Sequence, residues 1–153
     1  MKILLLVGVA FVSAFVPVVN LEAYLVGQSA FVPGGIVPSA LAAALGQMLG
    51  KCIWYEIGAN VARIPWLASK INGPKWQKRR EELAHKLRGK GWLTVGSLFL
   101  SASVGVPPFA IMSVIAGDLN VPRPVFWITG FTGRFLRFLF TLGAISQIMA
   151  WLP

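Results

Sequence analysis

Residues Ser101–Phe138 read SASVGVPPFAIMSVIAGDLNVPRPVFWITGFTGRFLRF, an apolar stretch with two interruptions. The first, Gly105–Pro108, cannot lie inside a continuous helix, because each proline lacks an N–H and clashes with the preceding turn. The second, Asp118–Pro124, is polar, and the chain then resumes as an apolar segment that carries Arg134 and Arg137. In lipid, backbone groups freed by such a break must be satisfied by protein or trapped water. A broken apolar segment followed by a full span is therefore typical of transporters.

The composition indicates an integral membrane protein. The chain has 153 residues, of which 56% are hydrophobic and 12% are charged, whereas soluble domains carry about 25% charged residues. We predict a single membrane domain over residues 1–153. Its first half is 1–62 and its second half is 92–153, with a basic segment, 63–91, between them.

The positive charge is concentrated between the two apolar halves. The net charge is +9, and nine of the fourteen basic residues lie between Arg63 and Lys90. They are Arg63, Lys70, Lys75, Lys78, Arg79, Arg80, Lys86, Arg88 and Lys90. A basic cluster between apolar spans follows the positive-inside rule, which favours membrane orientation over nucleic-acid binding. We therefore predict that this segment is cytoplasmic.

The basic segment contains a predicted amphipathic helix. Pro74 suits the first position of a helix, and in Lys75–Arg88 three apolar residues, Trp76, Leu83 and Leu87, share one face. Such a helix is suited to lie on an anionic leaflet. His85 is isolated here, and we interpret it as a solvated side chain.

The N-terminus has two interpretations. Lys2 precedes an apolar run, Ile3–Val19, which is close to the minimum length for a membrane span. The same run resembles a signal peptide with a cleavage site at Val12-Ser13-Ala14. Because Asn20–Pro38 is also membrane-like, we predict a retained span.

A first broken segment follows. Asn20 to Val32 is too short to span a bilayer as a helix, and it lies between helix-breaking residues, so we predict a re-entrant hairpin. The breaks are Pro17, Pro33, Gly34 and Gly35. Glu22 then lies within or beside the membrane, where a carboxylate is costly and is a functional candidate. The alternative is an interfacial Glu22 at a helix start, where the helix dipole favours it.

Ser39–Ala62 is a predicted span with two charges inside it. Gly46 and Gly50 form a small-xxx-small packing face. Lys51 and Glu56 are about 140° apart around a helix of 3.6 residues per turn, so they do not pair with each other. Each needs another partner or an aqueous cavity, although Lys51 also has a stem long enough to reach an interface.

The second half repeats the pattern of the first. We predict Trp92–Ala102 and Phe109–Gly117 as the arms of a second re-entrant hairpin, broken at Gly105, Pro107 and Pro108, and Val125–Trp151 as the last span. With a cytoplasmic basic segment, the two hairpins enter from opposite sides. The predicted fold is thus an all-α integral membrane protein, with transmembrane helices and two opposed re-entrant hairpins in an inverted repeat.

Several motifs resemble those of the DedA/VTT-domain membrane protein family, and its short YqaA-like branch in particular. Pro17–Glu22 (PVVNLE) is similar to the family's Pro-rich acidic motif, and Leu45–Gly50 (LGQMLG) to its glycine-rich span. The further matches are Tyr55, Gly58, Val106-Pro107-Pro108, Ala116-Gly117, Phe126 and Gly130. The resemblance implies two opposed re-entrant hairpins and a role in lipid translocation or scrambling. In the bacterial DedA branch this includes recycling of undecaprenyl phosphate, with proton coupling proposed.

The chain differs from the family at two positions. DedA members carry two arginines leading into the second hairpin, and alignment on Ala116-Gly117 places Ser103 and Phe109 there. The arginines of this region, Arg134 and Arg137, follow one helix later. A phosphate-bearing substrate needs cationic or N–H donors.

Five charged residues form the predicted polar pathway between the repeats, because each is costly facing lipid. They are Glu22, Lys51, Glu56, Arg134 and Arg137. For the two arginines, the alternative is that their long stems reach the headgroups. We also predict that the hairpin tips, near Asn20–Glu22 and Gly105–Pro108, approach each other near the midplane.

The predicted function is movement of lipids or lipid-linked carriers across the bilayer, as a flippase or scramblase, with proton coupling as an option. The alternatives are an exporter of small solutes and a non-transporting structural protein. With one His and one Cys, most nucleophile–base pairs are unavailable, so we predict no enzyme, cofactor or metal site. The predicted partners are membrane lipids, including an anionic leaflet bound by the basic segment, and not nucleic acid. A homo-oligomer is compatible with the sequence, and the predicted location is the plasma (inner) membrane.

Overall fold

A computed structural model describes residues 2–15, 35–60 and 73–151. In these ranges the chain forms six helices and no strand. The helices are α1 (Lys2–Ser13), α2 (Ile36–Asn60), α3 (Pro74–Leu87), α4 (Gly91–Val104), α5 (Phe109–Asp118) and α6 (Arg123–Trp151). The prediction of an all-α protein is confirmed over these ranges.

The break between α4 and α5 lies where the sequence places it. Helix α4 ends at Val104 and is capped by Gly105, which has a left-handed backbone (φ 88°) and donates its N–H to the Ser101 carbonyl at 3.0 Å. The Ser101 hydroxyl also donates to the Pro107 carbonyl. Helix α5 begins directly after Pro108. A glycine at the C-terminal cap, followed by prolines, is a local stop signal that needs no tertiary contact.

Helix α3 begins at Pro74, as predicted. Its apolar face packs onto the protein: Ala84 and Leu87 are buried in the main apolar core, and Leu83 packs against that core. The two leucines that we assigned to a leaflet-facing surface therefore contact the protein core. The side chains of Lys75, Lys78, Arg79 and Lys86 on this helix are exposed.

Helices α1 and α2 run parallel and in close contact. A Cβ atom at Gly46 would lie 2.8 Å from Ala10 Cβ, and a Cβ at Gly50 would overlap Ala14 Cβ. Residue numbers increase along both helices from the first contact to the second, so the two helices run in the same direction. The predicted small-residue face on α2 is confirmed as the surface that packs against α1.

Helices α4 and α6 also run parallel. A Cβ at Gly133 would lie 2.6 Å from Ala102 Cβ, and four residues further along α6, Arg137 contacts Gly105. The two pairs are related by an antiparallel contact between α2 and α6. Met48 of α2 lies against Gly130 of α6, and a Cβ added at Gly130 would approach Met48 Cε to 2.8 Å. Further along α2, Tyr55 packs against Phe126, which precedes Gly130 on α6, with ring centroids 4.9 Å apart.

Helix α5 is short and buried. It has 10 residues, so it is about 15 Å long at 1.5 Å per residue and cannot cross a hydrocarbon core of about 30 Å alone. It crosses α2 with its backbone in contact: a Cβ at Gly58 would overlap the Val114 carbonyl, and one at Gly117 would overlap the Tyr55 carbonyl. Residues 111–117 are all buried.

Of the described helices, α2, with 25 residues, is the one long and apolar enough to cross a membrane. Helix α6 has 29 residues and contains the predicted span Val125–Trp151, but its crossing of the bilayer stays a prediction. The predicted N-terminal span Ile3–Val19 is not found as one helix, because α1 ends at Ser13. Residues 16–34 lie outside the described part of the chain, and with them Pro17, Glu22, Pro33, Gly34 and the tip Asn20–Glu22. Gly35, just before α2, has a positive φ of 95°.

Candidate functional site

A chain of polar contacts joins α1, α2 and α6. Gln47 is 7% exposed and donates its Nε2 to the Ser13 hydroxyl at 3.0 Å. Its Oε1 accepts a hydrogen bond from Arg134 Nη1. Because a guanidinium only donates, the amide oxygen must face Arg134, which leaves the amide nitrogen for Ser13. The Ser13 hydroxyl then donates to the Ala10 carbonyl at 2.7 Å.

Lys51, one helical turn after Gln47, extends this group. It is 6% exposed, and its Nζ donates to the Ala14 carbonyl at 2.8 Å. The Trp54 indole donates to the same carbonyl at 3.2 Å. The last carbonyls of a helix lack intrahelical partners and carry its partial negative charge. Lys51 therefore lies at the C-terminal end of α1, where a cation is favoured. We call Ser13, Gln47, Lys51 and Arg134 the polar junction.

Arg134 also connects the polar junction to the start of α5. Its Cζ lies 4.8 Å from the centroid of the Phe109 ring, a cation–π distance. Phe109 is the first residue of α5 and directly follows the proline break. The guanidinium is therefore held between the Gln47 amide and the aromatic ring at the start of α5.

Arg137 lies at the break itself. A Cβ at Gly105 would lie 2.5 Å from Arg137 Nη1, so the guanidinium occupies the space that a side chain would need. The left-handed backbone at Gly105 requires glycine for a second, independent reason. Arg137 is thereby placed at the C-terminal end of α4, the position that a helix dipole favours for a cation.

The two halves share this arrangement. In each, a shorter helix runs parallel to a longer one and ends beside a cation from the longer helix. Lys51 of α2 lies at the end of α1, and Arg137 of α6 lies at the end of α4.

These groups lie near the middle of the long helices. At roughly 1.5 Å per residue, Gln47 and Lys51 are about 16 and 22 Å from the start of α2, which has 25 residues. By the same rise, Arg134 and Arg137 are about 16 and 21 Å from the start of α6, which has 29 residues.

The structure separates Glu56 from the predicted buried set. Its Oε1 pairs with Arg123, at 2.9 Å from Nε and 2.8 Å from Nη2. The Glu56 and Arg123 side chains are 45% and 70% exposed, so the buried position that we predicted for Glu56 is wrong. Lys51 and Arg134 belong to the polar junction, Arg137 lies one turn beyond, and Glu22 lies outside the described residues.

Sequence reasoning missed Gln47 and Ser13. The position of Gln47 could have indicated its role, because it precedes Lys51 by four residues and so shares its helical face. An uncharged side chain in an apolar span, however, is less costly than a charge and is a weaker indication of a functional site. In the sequence, Ser13 is notable only as part of a candidate signal-peptide cleavage site. Its role depends on a contact with α2, 34 residues away along the chain.

The chemistry of the polar junction is that of hydrogen-bond donors. Lys51 and Arg134 supply ammonium and guanidinium groups, and Gln47 adds an amide. Such donors stabilise oxyanions of the phosphate or carboxylate type. In the described ranges no group of three or more His, Cys, Asp or Glu residues could hold a metal ion.

In the described ranges the protein is helical, and its buried polar groups lie where α1 and α4 end against the longer helices α2 and α6. The family model of the VTT domain matches residues 3–147, and the chain belongs to this family, whose members are DedA-type membrane proteins, transporter-like rather than enzymatic. No curated protein and no solved structure matches the chain. Its placement in the YqaA-like branch stays a prediction.

Proposed function

We propose that this protein moves lipids or lipid-linked carriers across the bilayer, with the headgroup passing the polar junction. The observation that carries the proposal is the shared arrangement of the two halves. In each, an apolar helix stops near the middle of a longer helix, and a cation lies at the stop. Charged groups at membrane depth are costly and are characteristic of transport pathways. Helix ends at membrane depth are tolerated only beside protein or a water-filled cavity.

The helix directions support an inverted repeat. Helix α1 runs parallel to α2, α4 runs parallel to α6, and α2 runs antiparallel to α6. Two similar units in opposite orientation are the architecture of many secondary transporters, with the site where the units meet. In this interpretation α4 and α5, of 14 and 10 residues, are the arms of a re-entrant hairpin with its tip at Gly105–Pro108.

The two arginines of α6 support an anionic substrate group. The family positions that hold arginine are Ser103 and Phe109 here. Arg134 stacks on the Phe109 ring, and Arg137 lies against Gly105, two residues after Ser103. One guanidinium thus contacts the second of those positions and another lies two residues along the chain from the first, although a different helix supplies both. Guanidinium groups are suited to bind phosphate, so a lipid phosphate is the anionic group that we propose.

Glu22 remains our candidate for the acidic member of the pathway. The polar junction holds two cations, and a carboxylate beside them would lower the cost of burying them. Protonation of this carboxylate would couple the pathway to pH.

The exposed apolar surface supports a membrane location. On α2, exposed residues recur at every fourth position, on one face of the helix. They are Val37, Leu41, Leu45, Leu49 and Ile53. A soluble monomer rarely exposes so continuous an apolar strip, whereas lipid covers it at no cost. We assign the plasma membrane, with the basic segment cytoplasmic, from the distribution of charge.

The packing of α5 favours a second candidate, a structural protein that moves nothing. Backbone contacts at Gly58 and Gly117 hold α5 tightly against α2. A hairpin packed in this way could fill the core without opening.

Reconstitution distinguishes the two candidates. The rate at which a fluorescent phospholipid crosses the bilayer is measured in vesicles containing wild type, Glu22→Gln or Pro108→Ala. We expect wild type to speed lipid movement above protein-free vesicles, and Glu22→Gln to slow it while insertion persists. If wild type moves lipid no faster than protein-free vesicles, the protein is structural and the translocator proposal fails. If wild type moves lipid and both variants match its rate, the hairpins are packing elements and the proposed pathway is refuted. Movement of a soluble solute driven by a proton gradient, without lipid movement, would instead favour the exporter.

A further inference from the structure

A cavity of about 540 Å³ lies between two turns, beside the C-terminal end of the basic helix α3. One wall is the α3–α4 turn with the first turn of α4, and the other is the α5–α6 turn with the start of α6. It is separate from the polar junction: Val125, which lines it, precedes Arg134 by about 14 Å along α6, at roughly 1.5 Å per residue.

Both walls are held by buried side chains. Thr94 is buried, and its hydroxyl lies 3.3 Å from the Leu87 carbonyl and 3.1 Å from the Lys90 carbonyl, which fixes the α3–α4 turn. In the other wall the Tyr55 hydroxyl donates to the Val121 carbonyl. The N–H of Val121 donates to the Ala116 carbonyl at 2.9 Å. The cavity is thus preformed, as ligand pockets usually are.

The lining combines two kinds of chemistry. Val95, Leu119 and Val125 supply the apolar part of its lining, which we call the apolar floor, and Arg88 and Lys90, both exposed, supply two cations. Its volume is within the range of about 300–1,000 Å³ for small-molecule sites. A ligand that satisfies both parts has an anionic head and an apolar body.

The position of the cavity identifies the source of that ligand. It adjoins the basic helix α3, and Trp92, in the first turn of α4, is 77% exposed. Exposed tryptophans in membrane proteins mark the level of the lipid headgroups. We propose that the cavity binds one anionic phospholipid from the leaflet on the basic side. Its phosphate lies between Arg88 and Lys90, and the first part of an acyl chain lies along the apolar floor.

This site goes beyond the proposed function, because it lies away from the polar junction and needs no lipid to cross the membrane. It also differs from a general attraction between the basic segment and an anionic leaflet, since it involves two specific cations and a shaped apolar surface.

The test is lipid binding by the purified full chain, measured by native mass spectrometry during titration with phosphatidylglycerol and, separately, phosphatidylcholine. The test variant is Arg88→Gln with Lys90→Gln. The matched control, Arg79→Gln with Lys86→Gln, removes one arginine and one lysine from α3 outside this cavity. Val95→Trp fills the apolar floor without changing charge.

We expect wild type to retain phosphatidylglycerol in preference to phosphatidylcholine. The test variant should weaken phosphatidylglycerol binding about 30-fold, which corresponds to about 1 kcal/mol for each basic residue near a lipid phosphate. The control should change it less than about threefold, because salt screens charges that are not in contact. Val95→Trp should also displace the lipid while elution on size exclusion stays normal. Equal losses in test and control variants, or unchanged binding in Val95→Trp, would overturn the proposal.

Discussion

Gly58 is the position where one added methyl group tests most sharply how α5 packs on α2. A Cβ there would overlap the Val114 backbone carbonyl, and neither backbone can move aside as a flexible side chain can. Overpacking of this kind costs about 1–3 kcal/mol. Because the overlapping atoms belong to the backbone, we expect a cost at the upper end of this range, about 3 kcal/mol. Alanine gains about 1 kcal/mol over glycine in a helix. We therefore expect Gly58→Ala to lower the free energy of unfolding by about 2 kcal/mol, the difference between these two terms.

Gly96 on α4 supplies the matched control, because a Cβ there meets nothing within 4 Å. Gly96→Ala should raise the free energy of unfolding by about 0.5–1 kcal/mol. Both variants are measured by reversible unfolding in mixed micelles, followed by circular dichroism. If Gly58→Ala stabilises the protein as much as Gly96→Ala does, the close crossing of α2 and α5 is refuted.

Three further predictions follow from the charges and the break. Ser69→Cys in a Cys52→Ser background should be shielded from impermeant thiol reagents added outside intact cells, and ready labelling would reverse the orientation. Glu56→Gln removes an exposed ion pair, so it should lower the free energy of unfolding by no more than about 1 kcal/mol, and a larger loss would indicate burial in the membrane. Gly105→Ala should lower the free energy of unfolding by about 1–3 kcal/mol, because alanine is strained in the left-handed backbone and its Cβ would overlap the Arg137 guanidinium. Wild-type stability of this variant would contradict both the backbone conformation and the contact.

The breaks were predictable because their causes are local. A glycine in the left-handed region and adjacent prolines stop a helix whatever surrounds it. The sequence therefore places the turn at Gly105–Pro108 and the start of α3 at Pro74 correctly. The extent of α1 was not predicted, since the apolar run continues past Ser13 and hydrophobicity alone gives no reason for the helix to end there.

The polar contacts could be predicted only in part. Residue type shows that Lys51, Arg134 and Arg137 need partners, but their partners come from helices distant in the chain. Glu56 pairs with Arg123, 67 residues away, in a contact that no spacing rule anticipates. Whether α3 faces lipid or protein is likewise decided by tertiary packing, because amphipathic patterning is the same in both cases.

The most direct test of the central claim, that lipid headgroups pass the polar junction, is the rate of phospholipid movement in vesicles containing Gln47→Leu. Leucine keeps the approximate volume of the side chain but removes the contacts with Ser13 and Arg134. Glu56→Gln, a polar change on the same helix outside the polar junction, is the control. We predict that Gln47→Leu slows lipid movement at least about tenfold, the effect of about 1.4 kcal/mol on a barrier, while Glu56→Gln retains the wild-type rate. Equal rates for wild type and both variants would contradict the claim.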